Sequence, residues 1–139
     1  MVMFNLRLHV KMSVIAVGLL LISACISCMS TWRWRIITAK ASLREIEIAE
    51  SSYKSAKGRY GTLPELAAAG LITGDMAQGK GDAYRYEVRL KGESYEARAI
   101  PDKAVDKELP AYYLDASGVL RHNFERTEAD ATDQQAPET

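Results

Sequence analysis

The chain has 139 residues, room for one small domain once its apolar N-terminal run is set apart. Lys+Arg and Asp+Glu both number 18, so no overall field attracts nucleic acid or another polyanion. The two cysteines, Cys25 and Cys28, both fall in the apolar run, which excludes a disulfide framework for the remainder.

Residues 1–11 form a basic N-terminal region carrying Arg7, His9 and Lys11. Residues 12–31 follow without a single charge, MSVIAVGLLLISACISCMST. About 20 apolar residues at 1.5 Å each match a hydrocarbon core of ~30 Å. The first reading is therefore a retained transmembrane anchor, with Trp32 and Trp34 at the far interface. A second reading is a lipoprotein signal segment, because Ile22-Ser23-Ala24-Cys25 resembles a lipobox with Cys25 as the lipidated residue. Both readings place the following domain outside the cytoplasmic membrane of a bacterium, as a single-pass or lipid-tethered protein. The Cys25-x-x-Cys28 spacing also suits redox or metal chemistry in general. Inside an apolar run, however, a thiolate is poorly solvated and no second ligand pair exists.

No Pro or Gly interrupts residues 32–57, so the anchor is expected to continue as a helix into water. Ile36, Ala39, Leu43, Ile46, Ala49, Tyr53 and Ala56 recur at spacings of three and four, which makes one apolar stripe. Ile36, Leu43, Ile46 and Tyr53 are its large members and the expected interaction surface, though packing on the protein's own sheet accounts for the stripe as well. Arg44, Glu47, Glu50, Ser51 and Lys54 read as the wet face, with Glu50 and Lys54 an i,i+4 ion pair. Gly58 is the expected helix stop. Thr62-Leu63-Pro64-Glu65 matches a capping box that opens a short helix ending at Gly70. Thr73 to Asp82 reads as a Gly-rich loop without a phosphate-binding pattern.

From Ala83 the period changes to two. Tyr84, Tyr86, Val88 and Leu90 alternate with Arg85, Glu87 and Arg89, and Tyr95, Ala97 and Ala99 alternate across the Lys91-Gly92-Glu93 turn. This pattern predicts an antiparallel hairpin. A charged excursion spans Pro101 to Pro110. A second hairpin is expected from Ala111–Leu114 and Val119–Arg121 across Asp115-Ala116-Ser117-Gly118. Residues 123–139, with five acids in the last fifteen positions, read as a disordered acidic tail. The fold class is thus α+β: a long N-terminal membrane helix whose amphipathic half packs on a three- or four-stranded antiparallel sheet within a soluble domain of residues 32–122.

No catalytic set emerges. His122 is the one histidine of the domain, and Ser117 sits in a turn rather than a nucleophile elbow. Asp102, Asp106, Glu108 and Asp115 are oxygen donors whose spacing matches no calcium loop. The tyrosines alternating with Arg85, Arg89 and Arg98 suit core packing beside solvated charges as well as base stacking. The expectation is a protein that is no enzyme and holds no cofactor, metal or nucleic acid.

The order of these parts resembles the type IV pilin and pseudopilin group. The segment from Ala41 to Ile72 is similar to that family's helix ending in Y-x-x-x-x-G-x-Y before a Leu-rich short helix. Tyr84-Arg85-Tyr86-Glu87-Val88 with Tyr95-Glu96-Ala97-Arg98-Ala99 looks like its first hairpin, and Tyr112-Tyr113-Leu114-Asp115-Ala116-Ser117-Gly118-Val119-Leu120-Arg121 like its closing one. The resemblance covers roughly residues 36–122. It implies a subunit of a cell-envelope fibre or a secretion or pilus assembly, contacting the membrane and other pilin-like or envelope proteins in a homo- or hetero-oligomer. One feature departs from the family. The only Gly of the run is Gly18, with Ser23 and no Glu five residues on, so no prepilin peptidase site is recognisable.

Overall fold

The computed structural model describes residues 31–126 and 128–137. The apolar run up to residue 30, with Cys25 and Cys28, lies outside the described residues. Among the described residues no helix is long and apolar enough to cross a membrane. Residues from Arg35 onward form one compact unit, and residues 31–34 belong to another.

Helix α1 covers 31–57. It stops where expected: Gly58 takes a φ of 75°, and its N–H donates to the Lys54 carbonyl at 2.8 Å. Helix α2, Leu63–Ala68, begins at Thr62, whose N–H and hydroxyl both donate to the Glu65 carboxylate at 2.8 and 3.0 Å. The Gly-rich stretch contains an element its composition conceals. Helix α3, Gly74–Ala77, is one turn capped by Thr73, whose hydroxyl accepts from the Met76 N–H.

The sheet is antiparallel with five strands in sequential order: β1 Tyr84–Lys91, β2 Ser94–Pro101, β3 Ala111–Asp115, β4 Arg121–Asn123 and β5 Gln134–Gln135. Lys91 pairs with Ser94, so Gly92-Glu93 is a two-residue turn. Of these two, Gly92 alone has positive φ, at 59°. That matches the turn twist favoured by hairpins. Cross-strand partners share a face, and the register puts Tyr86 opposite Ala99, Ala99 opposite Tyr112, and Ala97 opposite Leu114. These residues, with Tyr84 and Tyr95, are buried. The buried stripe of α1 (Ala39, Leu43, Ile46, Ala49, Tyr53) supplies the matching apolar surface. Ser42 hydrogen-bonds the Tyr86 hydroxyl, and Arg44 donates to the Gly118 carbonyl at 2.8 Å, which ties α1 to the sheet. The small Ala97 and Ala99 at mid-sheet allow close approach of the helix backbone.

Two expectations change here. The sheet has five strands rather than three or four, and the described residues of the segment, 123–126 and 128–137, are not a disordered tail. Ala129 and Ala136 are buried, and Ala136 N–H donates to the Leu120 carbonyl at 2.8 Å. The acids are absorbed locally: Arg126 pairs with Asp130 at 2.9 Å and with Asp133, while Asn123 donates to Asp133 at 2.7 Å. Their charges therefore bind the segment together instead of extending it. Ala129 clusters with Ala111 and Tyr113 on the face of the sheet away from the α1 stripe. The compact unit thus runs beyond the predicted domain end at residue 122.

Loop 79–81 closes one sheet edge. Tyr86 N–H donates to the Gly79 carbonyl at 2.8 Å, and Gly79 has φ of 68° with no room for a Cβ, which would strike the Tyr86 carbonyl oxygen. Gly79→Ala should therefore destabilise the fold by at least about 2 kcal/mol, through left-handed strain and a backbone clash. A denaturant midpoint indistinguishable from wild type would contradict this account.

Candidate interaction surface

Along α1, a 3.6-residue period divides the side chains between the sheet and solvent. Of the predicted interface residues, Leu43 and Ile46 are 0% exposed and Tyr53 is 7% exposed, so the domain's own core takes them. Ile36 is half-buried, and Ala56 at the end of the stripe is exposed. The surface α1 offers outward is a different line. Ile37 is 50% and Ile48 68% exposed, with Ala41 exposed between them. At 100° per residue, positions 37, 41 and 48 fall within about 40° of one another. Isolated exposed apolar residues are ordinary, but two isoleucines in line on one helix form a narrow exposed apolar strip.

The strip borders a groove of about 760 Å³ between α1, the β3–β4 connection and the C-terminal segment. Ile37, Ala41, Leu120 and Pro137 give it apolar walls. Lys40 donates to the Pro137 carbonyl at 2.7 Å, and Arg44 donates to Glu47 and to the Gly118 carbonyl, each at 2.8 Å. Both cations line the groove and tether the helix to neighbouring chain.

One residue of the supposed wet face lies in the core. Glu50 is 0% exposed. One carboxylate oxygen accepts from the Gly61 N–H at 2.9 Å, and the other has no hydrogen-bond partner. Burial pushes its pKa up to about 7; the Gly61 bond works against that, and Glu65 adds a smaller push upward. The expected Glu50–Lys54 pair gives way to another arrangement: Lys54 Nζ lies 4.3 Å from the centre of the Tyr60 ring and 3.3 Å from its hydroxyl. The sequence carried a signal for this, because Glu50 falls four residues after Ile46 and three before Tyr53. Its charge concealed a position on the buried stripe.

The remaining candidates stay apart. Asp102 accepts from the Ala104 N–H and Asp106 from the Glu108 N–H, each closing its own turn. Asp115 accepts from the Ser117 N–H and hydroxyl at 2.8 and 2.5 Å, and those bonds with Tyr113 and Arg121 hold its pKa below the usual range despite burial. Among the described residues no group of three or more His, Cys, Asp or Glu could hold a metal ion. His122 packs between Tyr112 and Phe124, with ring centres 6.5 and 5.2 Å away. Tyr84, Tyr86, Tyr95, Tyr112 and Tyr113 are all buried, which removes their faces from base stacking. On the outer sheet face, Glu96 and Arg98 pair at 3.2 Å, and Arg98 reaches Glu128 at 2.9 Å.

No family model, no curated protein and no solved structure matches this chain.

Proposed function

We propose that this chain is a non-enzymatic, membrane-anchored pilin-like subunit that acts through protein–protein contacts in a cell-envelope fibre or a secretion or pilus assembly. In this reading residues 12–31 anchor it in the bacterial cytoplasmic membrane and the domain stands in the periplasm. The observation that carries the reading is the division of α1: one stripe is consumed by the sheet, while Ile37, Ala41 and Ile48 remain exposed in line. A helix so divided packs its domain on one side and a neighbouring helix on the other. The order of helix, short helix and antiparallel hairpins supports the same reading. The missing peptidase site favours an anchor kept in place or a lipid on Cys25 over processing within the run. The alternative is a periplasm-facing lipoprotein binding or accessory module, supported by Ile22-Ser23-Ala24-Cys25.

In cells, the chain should fractionate with the cytoplasmic membrane and be digested by protease added to spheroplasts. A photocrosslinker at position 41, exposed between the two isoleucines, should join it to another helical envelope subunit or to a second copy. Combining Ile37→Lys with Ile48→Lys should remove most of that adduct and leave thermal unfolding within a few degrees. Recovery in the cytosolic fraction, or an undiminished adduct in the double variant, would overturn the proposal. Diacylglycerol on Cys25, found by mass spectrometry, would select the lipoprotein alternative.

A further inference from the structure

Glu50 has no role in the proposed contacts, yet it is a fully buried carboxylate with one orphaned oxygen. Its other oxygen is the anchor of the α1–α2 connection through the Gly61 N–H. That connection is pressed tightly into place: a Cβ on Gly61 would come within 3.1 Å of the Tyr53 ring and 3.2 Å of Leu66. Tyr60, next to Gly61, has its ring centre 4.8 Å from that of Tyr95 and carries Lys54 on its ring. Beside them runs a cleft of about 390 Å³ lined by Glu47, Ser51, Lys54, Tyr60, Tyr95 and Ala116, among others.

We infer that Glu50 is a pH-sensitive latch on residues 58–62, closed when its carboxyl is protonated and released when it ionises. Protonated, the side chain is a neutral acid that buries at modest cost and still accepts from Gly61. Ionised, it leaves a charged oxygen without a donor in a dry site, which is unstable until a cation or water arrives. Lys54 is the cation in reach, one helical turn away. To bind Glu50 it must leave the Tyr60 ring, and that removes the contact holding Tyr60 against Tyr95. The connection then loosens and water enters.

The surrounding charges are consistent with this direction. On α1, Glu47 is a second acid, which pushes up the Tyr95 pKa, and Lys54, one turn from Glu50, is the cation on the same cleft. From the connection and α2, Arg59 sits 5.6 Å from the Tyr53 ring centre, but it is bound to Glu65 at 2.6 Å, and Glu65 itself raises the Glu50 pKa. From the sheet, Tyr95 is a neutral phenol pushed upward by burial and by Glu47, Glu50, Tyr60 and Asp115. In the closed form the orphaned oxygen accepts no hydrogen bond.

The test is amide hydrogen exchange with carbon NMR of the Glu50 carboxyl, on the full chain in detergent micelles. The carboxyl should titrate near neutrality. Corrected for intrinsic chemistry, Gly61 opening should rise about fortyfold between pH 5 and pH 7 and level off above about pH 8, while Leu114 in the sheet stays protected. In Glu50→Gln the rise should vanish. In Lys54→Met it should shrink several-fold, because the released carboxylate has lost its cation. A carboxyl that titrates below pH 5, or Gly61 protection independent of pH in wild type, would overturn the latch. An unchanged rise in Lys54→Met would overturn the exchange of Lys54 from Tyr60 to Glu50. Should Glu50→Gln fail to fold, wild type and Lys54→Met decide alone.

Discussion

Leu43→Ala should cost the domain about 3 kcal/mol, whereas Ile48→Ala, five residues further along the same helix, should change stability by less than about 0.5 kcal/mol. Leu43 is fully buried between α1 and the sheet, so truncation removes its transfer free energy and leaves a cavity that alanine-lined strands cannot collapse to fill. Ile48 is exposed and loses almost nothing on truncation. Chemical denaturation of the two variants, read by tyrosine fluorescence, measures the difference directly. Similar losses at both positions would mean that α1 packs differently on the sheet, and the exposed strip would lose its meaning as a contact surface. The comparison therefore tests the geometry on which the proposed function rests, without knowledge of any partner.

Glu50→Gln should raise the unfolding free energy by about 2 kcal/mol at pH 8 and lower it by about 1 kcal/mol below pH 4.5. The sign follows from the direction of the shift. Burial raises the folded-state pKa from 4.5 to about 7, so the folded form holds its proton more tightly than the unfolded chain does. Stability is then fully present below about pH 4.5 and is lost as the pH climbs through the folded value. Wild type forfeits about 3 kcal/mol across that window. Glutamine keeps the acceptor for Gly61 and abolishes the loss, but it introduces an amide donor near the orphaned position, which offsets about 1 kcal/mol. Opening of the connection would relieve part of the wild-type cost and narrow the gap. A variant less stable than wild type at pH 8 would show that Glu50 is held as a stabilising anion.

Local chemistry made much of the fold legible. Gly58, Thr62, Pro64 and Gly92 mark boundaries through backbone geometry and capping that depend on a few neighbouring residues. The two-residue period of Tyr84 to Leu90 and of Tyr95 to Ala99 identified paired strands because an alternating pattern has one buried face wherever it sits. Helix α3 was hidden because Gly74 argues against a helix locally while Thr73 and the packing of Met76 support one turn. The last strand was hidden for a related reason. Acidic composition predicts extension when charges repel, and only the positions of Arg126 and Asn123 show that Asp130 and Asp133 are bound.

The candidate surface divides along the same line. From its sequence alone, the chain specifies an amphipathic α1, an uncharged run of membrane-spanning length before it, and an antiparallel sheet of small and aromatic residues. All of these are one-dimensional periodicities. Tertiary structure decided which side of α1 is consumed. It assigned Leu43, Ile46 and Tyr53 to the core and left Ile37 and Ile48 outside, because a helix can bury only the side that meets the sheet. It also decided the fate of Glu50. Hydropathy reads its charge as wet, but the angle it occupies between Ile46 and Tyr53 turns it inward, and only the approach of Gly61 from across a connection makes that burial tolerable.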